Sequence, residues 1–98
     1  MLESTYHAAI ALELTDNGLP FVREPLIPVT YRDVVIGQHR PDFIVDSRVV
    51  VEIKSAERYD LVFAAQVITY MRIAKLNVGL LLNFNRPVLK DGIKRFAL

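Results

Sequence analysis

A chain of 98 residues with 12 Lys and Arg against 11 Asp and Glu carries a formal charge of +1 and has room for one domain. Its 52% apolar content excludes a disordered polyelectrolyte, and its longest apolar run, Leu61 to Met71, is too short and too interrupted to span a membrane. With no Cys and no basic-then-apolar leader, the composition leaves a soluble, cytoplasmic, single α/β domain over residues 1–98.

Residues 2–17 read as a helix, because Leu2, Tyr6, Ala9, Ile10 and Leu14 recur at three to four residues and Gly18 suits a left-handed cap. Pro20, Pro25 and Pro28 then forbid a helix, so Phe21 to Tyr31 is expected to be extended, its first part at a sheet edge. Arg32-Asp33 is a polar break before Val34-Val35-Ile36. The next strand runs through Asp42 to Val45, and Asp46-Ser47-Arg48 is a turn. Val49 to Lys54 is β-branched enough for a central strand. Tyr59 to Lys75 returns to helical spacing through Val62, Ala65, Ile68 or Thr69, and Arg72, and Val78 to Phe84 suits a strand buried on both faces. In the tail, Lys90-Asp91-Gly92 looks like a turn before one further edge strand. The expected order is α-β-β-β-α-β with that extra strand.

The charge is unevenly spread. Residues 1–31 hold four acids and one base, whereas residues 61–98 hold six bases (Arg72, Lys75, Arg86, Lys90, Lys94, Arg95) against Asp91 alone. Such a third could bind phosphates, although a solvated face reads the same way.

Glu52 and Lys54 are out of place in a strand of Val and Ile, since a charge buried unpaired is costly. Alternation puts both on one face, and a hairpin pivoting on Ser47 sets Asp42 opposite Glu52. A slip of one residue would destroy that cluster. Two carboxylates so close repel unless a cation lies between them, and hard Mg²⁺ or Mn²⁺ suits an oxygen set of Asp42, Glu52 and the Ile53 carbonyl. Such an ion would acidify a water and neutralise charge on a phosphate, with Lys54 beside it to steady the transition state. The plainer alternative is that Lys54 simply pairs with one of the acids in solvent.

Pro41-Asp42, nine intervening residues and Glu52-Ile53-Lys54 resemble the P-D-x(n)-(D/E)-x-K motif of the PD-(D/E)XK nuclease superfamily. Gln66 and Tyr70, four apart on one helical face, resemble the Q-x-x-x-Y element of its RecB-like and Cas4-like branch. Leu2 to Tyr6, Leu81 to Phe84 and Leu89 to Arg95 resemble the small GxxExxY proteins, a likeness running over nearly the whole chain. The resemblance implies a restriction-endonuclease-like α/β fold, a mixed sheet flanked by helices, acting as a Mg²⁺-dependent nuclease on DNA. It implies Asp42 and Glu52 as metal ligands, Lys54 as the catalytic lysine and Glu3 as an acid supplied by the first helix. Gln66 and Tyr70 would support the site or touch DNA. The family's Gly would precede Met1, so the chain is expected to lack an upstream helical segment.

Other chemistries find less support. His7 lies off the apolar stripe and is expected on the surface, while His39, three residues before Asp42, could reach a substrate phosphate near the site but is expected simply exposed at a strand end. Neither has a second His or Cys at metal spacing. No serine lies in a G-x-S-x-G context, and no Walker or Rossmann loop exists. A second class of function stays open, a catalytically silent module that binds nucleic acid or assembles with protein. A missing helix would bare apolar surface for a homodimer or another partner to cover.

Overall fold

The computed structural model describes residues 3–85 and 89–98. Leu2 of the first stripe, Arg86 of the basic third and Val88 of the tail lie outside the described residues. Helix α1 (Glu3–Asp16) ends at Gly18, whose φ of 69° lets its N–H and that of Leu19 return to the carbonyls of Thr15 and Leu14. Strand β1 (Phe21–Arg23) follows. At Glu24 the chain turns through φ 46° into Pro25 and leaves the sheet, so the stretch read as one extended segment is two strands in two sheets. Strands β2 (Ile27–Tyr31) and β3 (Val34–His39) form a separate hairpin, joined by Arg32 and Asp33, both at positive φ. Tyr31, Val34, Val35 and Ile36 of this hairpin are exposed.

The chain then re-enters the main sheet as β4 (Phe43–Val45) and β5 (Val49–Lys54), crosses by α2 (Leu61–Ala74) to β6 (Val78–Asn83), and passes a 3₁₀ turn to β7 (Ile93–Ala97). The five-stranded order is β1-β4-β5-β6-β7, with β5 and β6 parallel and every other pair antiparallel. A parallel pair needs a long crossover, and α2 is that crossover. The class is the expected mixed sheet between helices, with more strands than the reading from sequence.

One core lies under α1, where Phe43, Val51, Ile53 and Leu82 meet Ala11, Tyr6, Ile10 and Leu14. The other lies under α2, where Val50 and Leu81 meet Val67, Tyr70 and Met71. The stripes read from spacing need correction. Ala11, not Ala9, is the buried alanine of α1, and α2 buries Val67, Tyr70 and Met71 while Val62 and Arg72 face out. Helix α2 is apolar nearly all round, so periodicity alone does not choose its face. Asp60 caps its start, accepting from the Val62 N–H at 2.9 Å.

Gly79 sits where α2 comes closest to β6. A Cβ there would lie 2.6 Å from Met71 Sδ and 2.7 Å from Val67 Cγ1. Both neighbours are fully buried. Gly79→Ala is therefore expected to destabilise the fold by ~1–3 kcal/mol, read as a lowered urea midpoint with unchanged slope.

Candidate active site

The hairpin of β4 and β5 sets the central geometry. Asp46 and Ser47 both take positive φ, 54° and 53°, and Arg48 N–H donates to the Val45 carbonyl at 3.0 Å, a tight turn twisted to suit its strands. Phe43 pairs with Val51, Ile44 with Val50 and Val45 with Val49. The next step of that register sets Asp42 opposite Glu52, and reciprocal hydrogen bonds lock it. Asp42 N–H donates to Glu52 Oε1 at 2.7 Å, and Ile53 N–H donates to Asp42 Oδ2 at 2.7 Å. Each carboxylate thus spends one oxygen on the other's strand and keeps its second oxygen free of it.

Burial makes this pair electrostatically expensive. Glu52 is only 4% exposed, and loss of water, then the neighbouring Asp42 charge, push its carboxyl up to about 8. The Asp42 N–H and the Lys54 charge pull the other way. Asp42 is raised as well, first by burial, against the pull of the Ile53 N–H, His7 and Lys54. Glu3 acts on both acids in the raising direction.

The remaining residues expected at the site come from both helices and from the end of β5. Glu3, in the first turn of α1, accepts from Ser55 N–H through Oε1 at 3.2 Å, just beyond the end of β5. Lys54 shares the Glu52 face, toward α2, with Nζ 5.0 Å from the centre of the Phe63 ring. Among the described residues it forms no ion pair with Asp42 or Glu52. Gln66 Nε2 donates to the Tyr70 hydroxyl at 3.0 Å, which leaves the phenol proton free to donate onward. Burial, then the charge on Glu52, raises the Tyr70 phenol. His39 stands edge-on to Tyr70 with ring centres 5.5 Å apart, half-buried.

A family model for the PD-(D/E)XK nuclease superfamily matches residues 1–96. The chain belongs to that superfamily. No curated protein and no solved structure matches it significantly. PD-(D/E)XK nucleases typically use divalent metals, and the mixed sheet flanked by helices is consistent with their restriction-endonuclease-like fold.

The donor set of this PD-(D/E)XK chain fits a hard cation. Two adjacent carboxylates, both held above their ordinary range by burial, with Glu52 raised further by the Asp42 charge, are the arrangement that a positive charge between them relieves. Among the described residues no three His, Asp or Glu side chains converge as a cage. Asp42 and Glu52 are the two side chains that would hold such an ion, with solvent completing its shell.

Two neighbours of Asp42 escape a reading of the sequence. His7, expected on the surface, has a side chain only 11% exposed and Nε2 3.7 Å from Asp42 Oδ1. It lies one turn beyond Glu3, and that i, i+4 spacing is the signal that could have found it. Arg23, whose Nη2 is 3.0 Å from His7 Nδ1, gave no signal, because only the pairing of β1 with β4 brings it there. These residues, with Glu3, Ser4 and Glu24, line a cleft of about 300 Å³ beside Asp42 on the α1 side. Glu52 and Lys54 share the face of β5 that Val50 turns toward α2, and Asp42 lies just outside β4.

Proposed function

We propose that the protein is a Mg²⁺- or Mn²⁺-dependent nuclease that hydrolyses DNA, with Asp42 and Glu52 holding the ion. The observation that carries this reading is the Asp42–Glu52 pair, tied across the two strands by the Asp42 N–H on Glu52 and the Ile53 N–H on Asp42, raised by burial and set beside Lys54. A divalent ion there supplies Lewis-acid neutralisation of the phosphate and acidifies the attacking water. Asp42 Oδ1 and Glu52 Oε2, the oxygens left over from the strand contacts, face that role. Lys54, which forms no ion pair among the described residues, would steady negative charge developing on the phosphate. Tyr70, its oxygen engaged by Gln66, has a proton to offer a phosphate oxygen, and Glu3 orients the chain at Ser55.

Support for the nucleic-acid substrate is the superfamily match, and the excess of bases after residue 60 suits a polyanion. The test is cleavage of labelled single- and double-stranded DNA with Mg²⁺, with Mn²⁺ and with chelator. Metal-dependent cleavage is expected, reduced at least about 100-fold by Asp42→Ala, the scale of a lost catalytic electrostatic group. DNA binding without cleavage in either metal would instead support the silent module, and Glu52→Ala would then change nothing.

A further inference from the structure

Among the described residues, one buried side-chain nitrogen or oxygen has no hydrogen-bond partner: His7 Nε2. Three contacts fix the ring that carries it. Its face stacks on Phe43, with centres 4.4 Å apart and planes 28° from parallel, and Phe43 is fully buried next to Asp42. Nδ1 lies 3.0 Å from Arg23 Nη2. A guanidinium only donates, so Nδ1 is the acceptor and the ring proton sits on Nε2. That N–H points toward Asp42 Oδ1, 3.7 Å away.

We propose that His7 is a positioning residue for Asp42, donating from Nε2 to Oδ1, and that it is not itself a metal ligand. An Nε2 that carries the proton has no lone pair to give a cation, and Arg23 holds it in that tautomer. Asp42 Oδ2 is already anchored by the Ile53 N–H, so a small rotation about that bond brings Oδ1 within reach of Nε2. One donor on each oxygen then fixes the plane of the carboxylate, while its remaining lone pairs stay open. The inference rests on the nuclease reading of Asp42 as a ligand. It adds that this chain orients the ligand through α1 and β1, by His7 and Arg23.

Mn²⁺ binding to the full chain, followed by electron paramagnetic resonance, tests it. His7→Ala is expected to weaken binding about 10- to 100-fold, the usual effect of losing a partner that orients a ligand. His7→Gln, whose amide nitrogen can occupy the place of Nε2, is expected to restore most of that loss. Arg23→Ala, an exposed change that leaves the ring free to switch tautomer, is expected to weaken binding by a smaller factor. Pulsed spectra of the wild type should show no ¹⁴N coupling from a directly bound imidazole. Such a coupling, or wild-type affinity in all three variants, overturns the positioning role alone. Failure of the wild type to bind Mn²⁺ overturns the nuclease reading beneath it. Should His7→Ala not fold, as judged by circular dichroism, weakened binding by Arg23→Ala and the absence of ¹⁴N coupling in the wild type still decide the matter.

Discussion

Glu52→Gln is expected to make the metal-free protein more stable above neutral pH and to abolish its divalent-metal binding. The folded carboxyl is pushed up to about 8, against an ordinary value of 4.5, so the native state holds this proton more tightly than the unfolded chain. Its contribution is therefore fully present below pH 4.5 and is lost as pH rises through 8. The slope in that window is about 1.4 kcal/mol per pH unit for one proton. Gln keeps an oxygen for the Asp42 N–H but carries no charge to bury, and its stability should not share that slope. Urea unfolding in chelator at pH 5, 7 and 9 measures the difference. Parallel curves for the two proteins would sink the idea that Glu52 is destabilised by its surroundings.

The same proton governs the metal. An ion must displace it, so the affinity of the wild type for Mn²⁺ should climb about tenfold per pH unit up to pH 8, with about one proton released per ion. Calorimetry in two buffers of different ionisation enthalpy reads that proton directly. Retention of a strained carboxylate pair at a stability cost is the usual sign of a functional site. Glu52→Gln should separate the two properties, gaining one and losing the other.

Lys54→Met is expected to lower the rate of DNA cleavage about 100- to 1,000-fold while Mn²⁺ affinity changes by no more than about tenfold. Met keeps the stem against Phe63, which the ammonium overlies at 5.0 Å, so the fold should tolerate it. Lys54→Arg should rescue little, because a planar fork does not reproduce a compact point charge. Single-turnover cleavage with saturating metal separates chemistry from binding. A variant that cuts at the wild-type rate would remove Lys54 from the chemistry and leave it a packing residue.

The hairpin at the heart of the site was legible in the sequence because its rules are local. Strand alternation sets Glu52 and Lys54 on one face, and the turn at Asp46-Ser47-Arg48 forces a register that brings Asp42 to Glu52. Gly18 ended its helix for an equally local reason, since φ of 69° costs glycine less than any residue with a Cβ. The Gln66–Tyr70 contact follows from helical spacing alone.

Relations between distant segments were not legible. Whether Phe21 to Tyr31 stays in one sheet depends on the turn at Glu24, and spacing within the strands does not contain it. Helix α2 offers several apolar faces, and β5 and β6 select the one with Val67, Tyr70 and Met71. His7 looked like a surface residue because its burial comes from Phe43 and Arg23, separated from it by 36 and 16 positions. By itself the sequence determined which residues carry charge into the sheet and how two adjacent strands pair, since a two-residue period and a tight turn leave no other register. Only the tertiary structure decided what surrounds that pair. Desolvation, the pull of a second carboxylate and the direction of a buried N–H all depend on what packs from the far ends of the chain.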